Sequence, residues 1–205
     1  MKWLEKFIDM TARQPSGWIG KKLYKNAPNH REGFELLKDK IKLQSHENVL
    51  EVGCGAGVLL EELLEKADHA AAIDHSQDML QLAKVRNQHA IDKKRLTLKL
   101  GDVHTLPWPD NYFDAIASSH MFFFVEHPEK MLTEAYRVLK PNGRIVIVTM
   151  PPNKLARYLF FPYAKAMRCY DKKQMIALLT SSGFNNVEVN EISLMQLACA
   201  KKTIG

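Results

Sequence analysis

The stretch that most constrains this chain is Val49-Leu50-Glu51-Val52-Gly53-Cys54-Gly55-Ala56-Gly57. An apolar run containing one acid passes directly into glycines at alternate positions, and an amphipathic run, Val58 to Lys66, follows at once. That order reads as strand, tight turn and helix. Glycine tolerates φ > 0 and lets a ligand approach the backbone, and a helix starting at the turn leaves its first N–H groups unpaired. The dinucleotide fingerprint requires G-x-G-x-x-G or A, whereas here the glycines stand at 53, 55 and 57, with Val at 58. Glu51, just ahead of the first glycine, would repel a pyrophosphate and attract an ammonium group. A second strand, His69 to Asp74, ends in an acid twenty-one positions after Gly53, where such folds usually hold a ribose diol.

Downstream the alternation continues. Ser76 is an N-cap for a helix running to about Ile91, and Leu96 to Leu100 reads as a third strand closed by Gly101-Asp102-Val103. A fourth strand ends at Ser118-Ser119, and Pro128 opens a helix through Leu139. The turn Lys140-Pro141-Asn142-Gly143 leads into a fifth strand, Arg144 to Met150. Asp171 caps a helix over Lys172 to Thr180, and two closing strands follow, Asn186 to Glu191 and Leu194 to Lys201. Strands alternating with helices predict an α/β fold built on a parallel, doubly wound sheet.

With these motifs in order, the chain resembles the class I S-adenosylmethionine-dependent methyltransferases, on the branch that modifies small molecules such as quinone and other lipid precursors. VLEVGCGAG matches the family's first motif and AIDHS its second. GDVHTLPWPDNYFDAIASSHMFFFVEHPEKMLTEAYRVLKPNGRIVIV matches the block from the third strand through the fifth, so the likeness covers Glu47 to Met150. The resemblance implies a Rossmann-like, mostly parallel seven-stranded sheet with an antiparallel last strand. It divides a single domain over 1–205 into an N-terminal helical lid or extension (1–45), a cofactor-binding core (46–150) and a substrate-side insertion with the closing strands (151–205).

It also implies S-adenosyl-L-methionine as cofactor and S-adenosyl-L-homocysteine as product. Glu51 and the loop Gly53, Cys54 and Gly55 would orient the amino-acid end, and Asp74 the ribose, with His75 beside it also among the cofactor-binding residues. Asp102 would accept from the adenine amino group while the Val103 N–H binds a ring nitrogen; a simple turn is the structural alternative for Asp102. Ser118, Ser119 and His120 follow the fourth strand, where open parallel sheets bind ligands. His120 is the candidate general base if the acceptor is a hydroxyl, phenol or acidic carbon, set against a purely structural histidine. Cys54 reads as a small spacer. The chain has Phe123-Phe124 where the family often has a His-Trp or similar pair, which leaves the acceptor open.

Two aromatic-rich stretches stand outside the motifs. Trp3 to Met10 has the spacing of an amphipathic helix, and with Trp18 to Tyr24 it forms either a lid or packing against the sheet edge. Leu155 to Cys169 is an insertion that walls an apolar pocket, rests on a membrane surface or covers a sheet edge. No run approaches the roughly 18 apolar residues of a spanning helix, and the opening residues do not form a signal peptide, so a cytoplasmic protein is expected. Three scattered cysteines without a C-x-x-C pair suggest neither a disulfide framework nor a zinc site. The net charge of +6 is spread over separate lysine pairs. It leaves three functional classes: a small-molecule methyltransferase with an apolar or lipid-like acceptor, an RNA methyltransferase, and a catalytically silent cofactor-binding relative.

Overall fold

The computed structural model describes residues 30–153 and 166–203. Helix α1 (Arg31–Ile41) precedes β1 (Asn48–Val52), α2 (Val58–Leu63), β2 (His69–Asp74), α3 (Gln77–Arg86), α4 (Gln88–Asp92) and β3 (Leu96–Leu100). There follow β4 (Phe113–Ser119), a short 3-10 turn (Phe122–Phe124), α5 (Pro128–Val138), β5 (Leu139–Thr149), α6 (Lys172–Ser181), β6 (Asn185–Ile192) and β7 (Met195–Lys201). The seven strands form one sheet in the order β3-β2-β1-β4-β5-β7-β6. β3 through β5 are parallel, and β7 runs antiparallel to both β5 and β6. The expected seven-stranded sheet with its antiparallel last strand is therefore present.

Successive strands first step outward from β1 to β3 and then return to the other side of β1 as β4. The chain direction of the crossovers reverses there, which opens a crevice at the carboxyl ends of β1 and β4. Alternating side chains split the core into two layers. Leu50, Val52, Ile116 and Ile147 pack with α5 and α6, whereas Val49, Ala115, Ala117 and Val148 pack with α1 and α2. Leu37 and Ile41 of α1 are essentially fully buried, an effect of about 1.5–3 kcal/mol each.

Three local expectations are corrected. The run from Ser76 toward Ile91 is two helices, because the Asn87 amide bonds the carbonyls of Ala83 (3.0 Å) and Gly57 (3.1 Å) and ends the first of them. A short polar side chain competes with the helical backbone in this way. The amphipathic run after the glycines is helical only to Leu63. Residues 140–143 do not precede the fifth strand but bulge within it: Leu139 pairs with Phe113 and Arg144 with Ala115, and Asn142 takes φ 65° inside the bulge. The capping at Asp171 is as expected and reciprocal, with Gln174 closing a capping box. Of the N-terminal extension, α1 is described; Trp3 to Met10, Trp18 to Tyr24 and residues 154–165 of the insertion lie outside the described residues.

Candidate functional site

The glycine turn is built as a cradle. Gly53, Gly55 and Gly57 have φ of 74°, 50° and 72°. A Cβ on Gly53 would come within 2.6 Å of Met121 Cγ, and one on Gly57 within 2.7 Å of Asn87 Nδ2, but one on Gly55 would meet nothing within 4 Å. The first and third glycines are thus required by packing, and the middle one faces open space. The turn is tied to its neighbour strand by Gly53 N–H and Cys54 N–H donating to the Ile73 carbonyl at 2.9 and 3.3 Å.

Asp74 joins three strand ends. Its Oδ2 accepts from Gly55 N–H at 2.8 Å and its Oδ1 from Ser76 N–H at 2.9 Å, while its carbonyl accepts from Gly101 N–H at 3.1 Å. A carboxylate oxygen has a second lone pair, so these bonds orient Asp74 without exhausting it. His75, next in sequence, is half-exposed with Nδ1 at 3.8 Å from Asp74 Oδ1.

Glu51 is 3% exposed, and its Oε2 has no hydrogen-bond partner among the described residues. Burial, reinforced by the negative charges of Asp74 and Glu62, pushes its carboxyl well above the ordinary carboxylate range. Nature rarely leaves such an oxygen unpaired. An arriving ammonium group would both pair it and restore its charge. Cys54 is buried in the same turn, and burial together with Glu51 and Asp74 raises its thiol well above the usual value, which fits a spacer and not a nucleophile.

Strand pairing separates the two serines at the end of β4. Glu51 pairs with Ala117 on the α1 side of the sheet, so Ser119 shares that side, whereas Ser118 alternates with Ala117 and points toward α5 and α6. Ser118 is fully buried there with its Oγ unpaired among the described residues. Ser119 Oγ lies 2.8 Å from Nδ1 of His120.

His120 itself sits in the left-handed region at φ 57°. Its ring stacks on His30 at 4.2 Å and 3°, with Phe34 edge-on at 6.3 Å. Gly33 admits the ring, since a Cβ there would stand 2.3 Å from Cε1. Burial, and then the neighbouring His30, lowers the imidazole to a pKa of about 3, so it is neutral at physiological pH.

At the end of β3, Val103 is buried in the core and Asp102 is exposed. The Asp102 carboxylate forms an Asx-type turn, its Oδ1 accepting from His104 N–H at 2.9 Å. The structure therefore brings the glycine turn, Glu51, Asp74, the Gly101-Asp102 end of β3 and the Ser119-His120 end of β4 to one carboxyl edge. Asn87, Met121, His30 and Gly33 were not among the expected site residues. Only Gly33, a helix-breaking residue inside a helical run, carried a local signal.

Residues 50–147 match the family described as Methyltransferase domain. The chain is 35% identical over 126 residues to a demethylmenaquinone methyltransferase of Symbiobacterium thermophilum, covering 58% of this chain and 49% of that protein. It is 31% identical over 121 residues to a ubiquinone/menaquinone biosynthesis C-methyltransferase of Roseobacter denitrificans, covering 58% and 48%. The chain thus spans about half the length of these curated relatives. In three dimensions it is similar, at TM-score 0.73 and 13% identity over 93% of this chain and 83% of the other, to geranyl diphosphate C-methyltransferase of Streptomyces coelicolor, solved with S-adenosyl-L-homocysteine; at that identity the likeness is one of fold.

Proposed function

Since residues 50–147 match the methyltransferase-domain family, we propose that the chain is a class I S-adenosylmethionine-dependent methyltransferase that moves a methyl group from S-adenosylmethionine to an apolar small-molecule acceptor. The observation that carries this reading is the Glu51 carboxylate, buried beside the glycine turn with an unpaired oxygen. It is a ready partner for the ammonium of the cofactor's amino-acid end. Asp74, aligned by Gly55 and Ser76, fits a ribose hydroxyl donor. The open space over Gly55 lets the backbone approach the ligand without a side chain between them.

Bound there, the cofactor supplies a methyl group on a sulfonium that is already a good leaving group. The protein's work is then to place the acceptor in line and to exclude water. No described helix is long and apolar enough to cross a membrane, and the acceptor is met at the carboxyl edge of β4. Phe122 to Phe124 follow that edge as a short 3-10 turn, which keeps the chain beside it apolar. His120, neutral and bonded to Ser119, is the hydrogen-bond partner for an acceptor oxygen. With so low a pKa it is a weak base for a free alcohol. It suits an acceptor that gives up its proton easily, such as a phenol or a reduced quinone ring. The relatives' names point to methylation of a quinone at carbon, and a 1,4-naphthoquinol is accordingly the first acceptor to try.

The test is titration of the folded protein with S-adenosyl-L-homocysteine, followed by transfer of labelled methyl from S-adenosylmethionine to a 1,4-naphthoquinol. Heat of binding and labelled naphthoquinol are expected. Neither heat nor thermal protection would refute the cofactor reading, and binding without any transfer would refute this acceptor class.

A further inference from the structure

The fourth strand by itself holds the His120 ring at one atom only. His120 N–H donates to the Val148 carbonyl at 2.9 Å, and φ 57° turns the residue out of the end of β4. Beyond that backbone anchor, Ser119 Oγ meets Nδ1 at 2.8 Å. The torsion between Cβ and an imidazole is soft and roughly two-fold, so a single contact leaves the ring plane, and with it the direction of Nε2, poorly set.

The start of α1 supplies the missing restraints. His30, the residue before that helix, lies parallel to His120 at 4.2 Å and 3°, and Phe34 stands edge-on to both rings, 6.0 Å from His30 and 6.3 Å from His120. Gly33 has no side chain to keep the ring out, since a Cβ there would stand 2.3 Å from Cε1 and 3.1 Å from Nε2 of His120. An aromatic face, an aromatic edge and a bare stretch of backbone thus form a slot that the imidazole fills. Both histidines are half-buried, so the slot grips His120 without enclosing it. Burial lowers the pKa of each ring, and in His120 the neighbouring His30 adds to the effect. Two neutral imidazoles can lie face to face, whereas two imidazolium ions at that distance would repel.

We propose that His30 is a positioning residue for methyl transfer: stacked on His120 across Gly33, it holds the imidazole in the plane from which Nε2 meets the acceptor, while Ser119 takes Nδ1. The proposal rests on the part given to His120 above. It gives His30, outside every motif of the cofactor site, an effect on turnover and none on cofactor affinity.

The parent protein is compared with His30→Ala, His30→Leu and His30→Phe in three measurements: methyl transfer to the 1,4-naphthoquinol, calorimetry with S-adenosyl-L-homocysteine, and NMR of the isotope-labelled imidazole nitrogens, with the His120 signals identified by their loss in His120→Gln. The parent should show well-separated signals for the two His120 nitrogens, as one fixed tautomer requires. In His30→Ala and His30→Leu these signals should move toward each other as the ring is released, and kcat should fall at least tenfold with cofactor affinity within twofold of the parent. His30→Phe keeps an aromatic face and should restore both the separation and kcat, to within threefold. Leucine fills the same space, so general packing would not single out phenylalanine. Should His30→Ala fail to fold, His30→Leu carries the comparison. Parent-like kcat and nitrogen signals in a folded His30→Ala or His30→Leu, or a His30→Phe no better than His30→Leu, would overturn the proposal. A parent that binds S-adenosyl-L-homocysteine but methylates no naphthoquinol refutes the acceptor class instead, and the nitrogen signals then decide this proposal by the same comparison.

Discussion

Replacing Gly55 and Gly57 by alanine, one at a time, separates what the turn does for stability from what it does for binding. Both residues have φ in the left-handed region, so each alanine carries a backbone strain of about 1 kcal/mol. At Gly55 that is the whole cost, because the new methyl meets no atom within 4 Å. A loss of about 1 kcal/mol lowers the melting temperature of a chain this size by roughly 2–4 °C. At Gly57 the methyl would stand 2.7 Å from Asn87 Nδ2 and 3.0 Å from the Cα of Ala83. Crowding against backbone adds about 1–3 kcal/mol, and displacing the buried Asn87 amide from the Gly57 carbonyl adds about 1–2 kcal/mol. The sum is about 3–6 kcal/mol, or roughly 6–24 °C by the same conversion. Binding should run the other way. Gly55→Ala places its methyl where the ligand approaches, so affinity for S-adenosyl-L-homocysteine should drop at least tenfold in a protein that is nearly as stable as the parent. Differential scanning calorimetry and isothermal titration give the two numbers. Unchanged affinity in Gly55→Ala would refute the cradle, and equal melting temperatures for the two variants would refute the packing argument.

Glu51→Gln should show a pH-dependent sign. The folded carboxyl is raised above its unfolded value, so its uncharged form is favoured, and the stability it contributes is present below about pH 4 and lost as pH rises through the raised value. The amide stays uncharged, so urea melts should find the variant no less stable than the parent at pH 4 and more stable at pH 8, with weakened S-adenosyl-L-homocysteine binding; a variant less stable at pH 8 contradicts this. Lys202 donates to the carbonyls of Tyr136 (2.9 Å) and Leu139 (2.8 Å) and to Asn111 Oδ1 (2.8 Å), closing the carboxyl end of α5. Lys202→Met should therefore lower stability by about 1–3 kcal/mol and leave cofactor affinity unchanged, both measurable in one thermal-shift series with and without ligand.

Much of the architecture was legible before any coordinates. Short apolar runs ending in Glu51-Val52-Gly53 and in Asp74 announced two buried strands, and the capping residues Ser76 and Asp171 marked helix starts that the structure keeps. Interruptions were harder to see. Asn87 divides α3 from α4 because its amide reaches the Gly57 carbonyl thirty residues earlier, and no window of local sequence contains both partners. The bulge at residues 140–143 depends likewise on pairing with Phe113 and Ala115.

By itself, then, the sequence determined the order and type of the elements, the glycine turn and the acid beside it, since periodicity and backbone preference act over a few neighbouring residues. Tertiary structure alone decided which of Ser118 and Ser119 shares a face with Glu51, that His120 stacks on His30 over Gly33, and that Asp102 Oδ1 lies against the His104 ring. Those outcomes depend on strand register, on side-chain rotamers and on the close approach of segments far apart in the chain. They are fixed only when the whole core packs at once.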